Sequence, residues 1–172
     1  PGPDAALLRV RIKDAVSGRR ASATASVNRG AQEPPSDPYS AFSLRRSGNR
    51  MKGPIRFRPL NYYFYTDGAF EVRVPPGHCT LELRKGYEYV PCIVSLEAEP
   101  RDTLEVEASL ERWIDMAALG WYSGDTHIHM RRNGANDDSL LNVTSAKDIK
   151  YAYLVSVDKD RYYRAAGNED RP

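Results

Sequence analysis

The chain has 172 residues, of which 41% are hydrophobic and 28% charged, a composition typical of globular proteins that excludes a disordered chain. Its 25 basic and 23 acidic residues give a net charge of +2 and are interspersed, so no nucleic-acid partner is indicated. No stretch approaches about 20 apolar residues and the N-terminus lacks the pattern of a signal peptide, so no membrane association is predicted.

Two strands are predicted at the start of the chain. Apolar residues alternate with basic ones over 8–12, which is the period of a strand with one buried face. After a turn at 14–18, alternating small apolar residues over 21–27 predict a second strand lying beside the first. Residues 29–54 are rich in Pro, Gly, Ser and Arg, and they predict an irregular insertion.

A β-hairpin is predicted around Asp67-Gly68. This dipeptide is a strong signal for a two-residue turn between strands, and β-forming residues flank it over 62–66 and 69–74. The sequence therefore predicts that these two strands pair with each other.

The two cysteines, Cys79 and Cys92, are predicted on opposite strands of a second hairpin. With a two-residue turn at Lys85-Gly86, counting outward places them directly opposite each other. They are then either two buried thiols or a cross-strand disulfide, and in both cases within bridging distance.

A last alternating strand over 104–108 brings the predicted number to about seven, which suits a β-sandwich. We predict a sandwich domain over 1–112, whose strands at 7–112 fold independently, then a linker over 113–120. Residues 121–172 form a separate unit.

This second unit has the pattern of a strand, a helix and a strand. Asp125–His129 is the first strand, and the run at 151–157 reads as a parallel strand covered on both faces. Between them, apolar residues recur every three positions, the spacing of one helix face: Leu140, Val143, Ala146 and Ile149.

His127 and His129 are candidate metal ligands. Residues two apart on a strand point to the same side, so both imidazoles can approach one ion while Ile128 packs behind them. Asp158 follows the second strand, and the carboxyl ends of parallel strands are where sites form. Asp125 is predicted to brace the strand entry, with support of a ligand histidine as the alternative.

Residues 121–129, Trp-Tyr-Ser-Gly-Asp-Thr-His-Ile-His, resemble the opening motif of the polymerase and histidinol phosphatase (PHP) superfamily, in particular its carbamate-hydrolase-like branch. The resemblance implies a distorted β/α barrel that binds two or three Zn, Mn or Fe ions, with His127 and His129 as ligands. It also places Asp158 where members carry an aspartate, often followed by a histidine. Here Lys159 follows, which departs from that pattern.

Residues 67–77 resemble carboxypeptidase regulatory-like, transthyretin-type sandwiches, which commonly precede this hydrolase branch. The expected fold class is therefore mainly β: a seven-stranded transthyretin-like or immunoglobulin-like sandwich, followed by a βαβ piece of an incomplete α/β barrel.

The function that the resemblance implies is hydrolysis of a phosphoester, carbamate or related bond, assisted by a divalent metal (Zn, Mn or Fe), with a small-molecule substrate in the full enzyme. No histidine follows His129, so the chain by itself is expected to be inactive. The βαβ piece is expected to pack against the sandwich, a second copy or a missing C-terminal portion. Analogy favours an exported or periplasmic protein. The alternative is a non-enzymatic binding module that uses loop 29–54.

Three further features have predictions of their own. His78 is predicted to be an exposed turn residue rather than a ligand. The tyrosines at 62, 63 and 65 are predicted to pack in the sandwich, with a binding platform as the alternative. Asn142 begins a glycosylation sequon, which we discount because it falls on the predicted helix.

Overall fold

The computed structural model describes residues 2–28, 55–57, 61–129, 134–157 and 163–165, and this part of the chain is mainly β. Short alternating segments form strands because each can bury one face. The elements are β1 (Ala6–Asp14), β2 (Ala23–Asn28), β3 (Ile55–Phe57), β4 (Asn61–Thr66), β5 (Ala69–Val74), β6 (Gly77–Arg84), β7 (Cys92–Ala98), β8 (Thr103–Leu110), β9 (Gly124–His129), α1 (Gly134–Ala146), β10 (Tyr151–Val157) and β11 (Tyr163–Ala165).

The first eight strands form a sandwich of two sheets. One sheet has the order β5-β1-β8 and the other β3-β4-β2-β6-β7. Apolar side chains from both sheets form one buried core, in which Leu8, Leu81, Leu83 and Leu110 are fully buried. The prediction of a mainly-β sandwich is confirmed. Among the described residues, the sandwich has eight strands rather than the predicted seven, because the short β3 adds an edge next to β4.

β1 and β2 do not pair as neighbours, contrary to the prediction. β1 lies between β5 and β8, and β2 lies between β4 and β6 in the other sheet. The chain does turn back after Asp14, but only the bridge between Lys13 and Arg20 forms before it crosses to the other sheet. Because both strands need an apolar face, alternation alone cannot distinguish one sheet from two facing sheets.

The predicted hairpin at Asp67-Gly68 is also wrong, although both strands exist. β4 pairs with β2 and β3, while β5 pairs with β1, so the dipeptide is an arch between the sheets. Phe64 and Phe70 meet edge-to-face across the core, with ring centroids 4.9 Å apart. Gly68 has φ +112°, and its carbonyl accepts a hydrogen bond from Ile12 N at 2.8 Å. A β-carbon there would lie 2.8 Å from Ala21 O, so the arch requires glycine.

The cysteines are not opposite partners, so the predicted register was wrong. β6 and β7 do pair, but Cys79 faces Leu96 and Cys92 faces Leu83. An offset of four residues corresponds to about 13 Å along a strand, beyond the roughly 7 Å that a disulfide allows. The two thiols are not joined by a disulfide, and Cys79 is the more deeply buried.

The register of β6 and β7 differs from the prediction because residues 88–90 pair with residues 111–113 and not with β6. Val90 N donates to Glu111 O at 2.9 Å, and Trp113 N donates to Glu88 O at 3.0 Å. The connection between β6 and β7 therefore spans residues 85–91 instead of two residues, and β7 begins at Cys92.

The predicted βαβ unit is present. β9 and β10 are parallel, and β11 adds antiparallel to β10. Helix α1 lies against β2 and β4, on the outer face of the five-stranded sheet. There it covers Tyr65, which is 2% exposed and points away from the core that its neighbour Phe64 joins. The unit thus packs against the sandwich, one of the expected arrangements. Within the described part of the chain, no helix is long and apolar enough to span a membrane.

Candidate functional site

Strand β9, which carries the histidine motif, contains a β-bulge at its centre. Asp125 pairs with Ala152 and Ile128 pairs with Leu154, so Thr126 and His127 together oppose the single residue Tyr153. A bulge bends its strand and changes the direction of nearby side chains, and bulges are common next to active sites. Sequence alternation alone gave no sign of it.

Asp125 stabilises this bulge. Its carboxylate oxygen Oδ1 accepts a hydrogen bond from the backbone N of His127 at 3.0 Å. This is the local side-chain-to-backbone bond that aspartate readily forms, and it holds the backbone of His127 where the pairing shifts. Asp125 therefore makes a local bracing contact, although at the bulge within β9 and not at the strand entry for which it was predicted. Its second predicted role, support of a ligand imidazole, stays a prediction, since the bond goes to the histidine backbone.

The two candidate ligands lie at the end of β9. The side chain of His127 is exposed. His129 is the last residue of the strand and pairs with Val155 in a regular register. The side chain of His129 and the whole of Asp158 lie outside the described residues, so the convergence of the three groups stays a prediction.

The candidate ligands meet only some of the requirements of a divalent-metal site. Among the described residues, no group of three or more His, Cys, Asp or Glu side chains is placed to hold an ion. Two imidazoles are suitable donors for Zn, but a protein site wants at least three ligands. Because β9 and β10 are parallel, both strands end at the same edge of the sheet, and Asp158 follows β10 in the sequence. The donor types therefore fit a metal, and the ligand number fits only if Asp158 contributes.

At the opposite end of β9, a polar cluster with a buried centre joins the βαβ unit to the sandwich. We call it the junction cluster: Asp14, Lys85, Glu88, Tyr89, Arg112, Ser123, Asp148 and Lys150. At its centre, Arg112 Nη2 donates to Asp148 Oδ2 at 3.1 Å, and the two side chains are only 18% and 6% exposed. Lys150 Nζ lies 2.9 Å from the other oxygen of Asp148.

Arg112 is held on the sandwich side by three further contacts. Its guanidinium lies over the Tyr89 ring, 4.3 Å from the centroid, and donates to the Tyr89 hydroxyl at 2.9 Å. That hydroxyl donates in turn to Asp14 Oδ2 at 3.0 Å. Glu88 pairs with Arg112 and also accepts from Met116 N at 3.1 Å. Burial raises the pKa of Tyr89, so the phenol keeps its proton and remains a donor.

Lys85 forms a second link across the junction cluster. It is 8% exposed, and its ammonium group donates to Ser22 O at 3.2 Å and to Ser145 O in the last turn of α1. A cation at this position also suits the negative end of the helix dipole. Burial lowers the pKa of Lys85, because the charged form loses its hydration there.

Sequence reasoning did not find the junction cluster. Its members are separated by up to 136 positions, and charged residues between strands are more often solvated than buried. One local signal exists at Gly86, which has φ +50°. A β-carbon there would lie 2.7 Å from both Asp148 Cβ and Lys147 O. Position 86 therefore requires glycine because of its contact with residues 147 and 148, which the sequence alone does not show.

The three further predictions have different outcomes. His78 is exposed as predicted, but it lies in β6 rather than in a turn, with Nε2 2.8 Å from Ser95 Oγ. Tyr65 packs beneath α1, and its ring meets Tyr63 edge-to-face at 5.6 Å. Asn142 lies within α1 and is 7% exposed, which agrees with discounting the sequon. The side chain of Tyr62 and loop 29–54 lie outside the described residues.

No protein-family model matches the chain, and no curated protein matches it in sequence. Among solved structures, phospholipase PlaB from Legionella pneumophila is similar with a TM-score of 0.37 and 10% identity, over 76% of this chain and 27% of that protein. The pilus-presented adhesin Cpa is similar in two crystal structures, with TM-scores of 0.31 and 0.32 and 12% and 13% identity, over 64% of this chain and 27% of the adhesin. The chain thus spans about a quarter of each protein's length. Similarity at this level supports no conclusion about fold or function.

Proposed function

We propose that this chain is the N-terminal part of a metal-dependent hydrolase, with the sandwich as an accessory domain and residues 121–172 as the start of the hydrolase domain. The observation that carries the proposal is the histidine strand itself. β9 carries His127 and His129 at its carboxyl end, it is bulged within the motif, and it lies parallel to the strand that Asp158 follows. Metal sites in parallel α/β folds form at this edge.

In the proposed site, His127, His129 and Asp158 hold a divalent ion of Zn, Mn or Fe. Such an ion would supply a water of lowered pKa and polarise a phosphoester, carbamate or related substrate. The role of Asp125 is to fix the backbone of His127 through its bond to the amide N, so that the imidazole is presented at a defined angle. Further ligands are required for catalysis, and on this proposal the chain binds metal without turning over substrate.

A metal titration of the full chain tests the proposal. Purified protein is stripped of metal, titrated with Zn²⁺ in a calorimeter and analysed for bound metal after dialysis. We expect near-stoichiometric binding. His127→Ala and His129→Ala should each weaken Zn²⁺ binding at least tenfold, because a site with few ligands loses a large share of its bond energy.

The third histidine provides a matched control. His78 lies exposed on β6 in the sandwich, so His78→Ala removes an imidazole without touching β9. Binding in this variant should equal that of the unaltered chain. Equal losses in all three variants would indicate nonspecific binding to surface imidazoles. An absence of Zn²⁺, Mn²⁺ and Fe²⁺ binding by the unaltered chain would contradict the proposal and favour the alternative, a non-enzymatic binding module.

A further inference from the structure

The junction cluster lies between the sandwich and the start of the histidine strand, with Asp148 at its centre. Asp148 lies two residues past the end of α1 and has φ +53°, the left-handed conformation that commonly ends a helix and that aspartate adopts more readily than most residues. Its backbone N donates to Ser145 O, in the last turn of α1, at 3.1 Å. The position of its carboxylate is set by contacts, because both oxygens are paired, with Arg112 and Lys150, and the side chain is only 6% exposed.

From Asp148 the contacts continue to β9 through Ser123, the residue immediately before the strand. The Ser123 hydroxyl donates to the backbone carbonyl of Asp148 and accepts from Lys150 N at 3.2 Å. The Ser123 carbonyl accepts from Lys150 N and Tyr151 N, both at 3.1 Å. These bonds set the first register pair of the parallel strands, Gly124 with Tyr151. The starts of β9 and β10 are thus fixed to the same residue.

On its other side, Asp148 is fixed to the sandwich. Arg112 cannot follow a moving Asp148, because Glu88 and Tyr89 in the connection between β6 and β7 hold it, and Tyr89 is bonded in turn to Asp14 at the end of β1. A second close approach is independent of these charges: Gly86 packs against Asp148 and Lys147 without room for a β-carbon. The sandwich and the βαβ unit therefore meet at a defined angle rather than along a sliding surface.

We propose that Asp148 is a positioning residue, through which the sandwich fixes the start and register of the histidine strand. The proposal rests on the proposed function insofar as the strand that is positioned carries metal ligands. It makes the sandwich a structural part of the site and not a detachable accessory domain. Asp148 acts through Ser123 and does not touch the ion or the substrate.

The test compares Asp148→Asn with the control Asp4→Asn in the full chain. Asp4 also pairs with an arginine, Arg101, but on the exposed surface far from β9 in the sequence. Amide hydrogen exchange of residues 124–129 is measured by mass spectrometry, and Zn²⁺ affinity by calorimetry. Asp148→Asn should speed exchange of this peptide about tenfold and weaken Zn²⁺ binding about tenfold, while Asp4→Asn changes neither.

Ser123→Ala covers the case in which Asp148→Asn fails to fold. It removes only the hydroxyl link and leaves every charge in the junction cluster, so the thermal midpoint should stay within a few degrees. Faster exchange in 124–129 at an unchanged sandwich stability supports positioning, because a merely structural role would lower the midpoint and leave the folded strand protected.

Unchanged exchange of 124–129 in the folded variant would overturn the proposal, whatever happens to global stability. If the unaltered chain binds no Zn²⁺, the proposed metal site fails, but the exchange experiment still decides whether Asp148 positions β9. The two failures are thus distinguishable.

Discussion

The sandwich core and the junction cluster hold the molecule together by different physics. Between the two sheets, apolar side chains from β1, β5 and β8 meet those from β2, β4 and β6, and six of the large ones are less than 2% exposed. Between the sandwich and the βαβ unit, buried charges and hydrogen bonds meet instead. Apolar contacts are non-directional, whereas charge-assisted hydrogen bonds fix distance and angle.

The difference indicates a division of roles. The core supplies most of the free energy of unfolding, because stability grows with the apolar area removed from water. The junction cluster contributes less net stability, since burying its charges costs desolvation energy that the pairing largely offsets. What it contributes instead is a defined orientation of β9. Substitutions in the core and in the junction cluster test this division.

A cavity in the core should cost the most. Leu81→Ala removes a fully buried side chain from β6, and we expect a loss of about 3 kcal/mol in the free energy of unfolding, measured by urea denaturation. Leu141→Ala in α1 is the control, because Leu141 is 66% exposed and should change stability by less than about 0.5 kcal/mol. Similar losses of unfolding free energy in both variants would show that the core does not supply most of the stability.

A double-mutant cycle on Arg112→Met and Asp148→Asn measures the centre of the junction cluster. Breaking an isolated buried pair costs about 3–5 kcal/mol. We expect about 2 kcal/mol for each single variant, because Arg112 keeps Glu88 and Asp148 keeps Lys150 as partners of opposite charge. The double variant should lose less than the sum of the two. Strict additivity would mean that the two charges do not interact.

Lys85→Met tests the cost of the buried ammonium group. At pH 7.5 we expect a loss of only about 1 kcal/mol, since the hydrogen bonds to Ser22 O and Ser145 O are lost while the desolvation penalty is relieved. The pH dependence has a definite sign. Because the folded pKa of Lys85 lies below its ordinary value of 10.5, the unfolded chain binds more protons between the two values, and stability rises with pH there.

The unaltered chain should therefore gain stability relative to Lys85→Met as the pH rises from neutral towards about 10.5. Urea midpoints at several pH values measure this difference. Charged groups facing Lys85 include Asp148 and Asp14, which favour the charged form, and Lys150 and Arg112, which oppose it. All four remain in both proteins, so their own titration largely cancels. If the stability difference between the two proteins stays constant across this pH range, the ammonium group of Lys85 is not desolvated.

The sequence predicted the parts of this fold that depend on local alternation. Val10, Val72 and Leu81 face the core because every second residue of a one-sided strand must be apolar. The strand-helix-strand pattern between 125 and 157 correctly predicted a βαβ unit with parallel strands. In the candidate site, the strand position of His127 and a local bracing contact of Asp125 followed from the same local reasoning.

The remaining features depend on contacts between distant residues. The Asp-Gly pair favours a hairpin locally, but β4 and β5 pair with strands of different sheets, so the connection is an arch with Phe64 packed on Phe70. The register of Cys92 depends on residues 88–90 pairing with 111–113. The junction cluster joins Asp14 to Asp148 through Tyr89 and Arg112, and no local pattern predicts that chain of contacts.

Asp14 lies at the outer end of the junction cluster and should show the smallest effect. The backbone N–H of Ser17 lowers the pKa of the Asp14 carboxyl below its ordinary value of 3.8, against the opposing effect of burial, and the hydroxyls of Ser17 and Tyr89 lower it further. Asp14→Asn removes this charge. After allowance for solvent screening, we expect a loss of about 0.5 kcal/mol at pH 7, measured by urea denaturation.

The pH dependence of the stability that Asp14 contributes distinguishes a hydrogen-bonded carboxylate from an unbonded surface charge. A carboxyl with a lowered folded pKa contributes stability above its unfolded pKa and loses it as the pH falls through the folded value. The difference in free energy of unfolding between the unaltered chain and Asp14→Asn should therefore be constant above about pH 5. It should disappear on acidification below about pH 4. Asp4→Asn serves as the control for the same change in net charge. If the difference persists unchanged at about pH 2, the charge of the Asp14 carboxylate does not stabilise the fold, contrary to its hydrogen bonds with Ser17 and Tyr89.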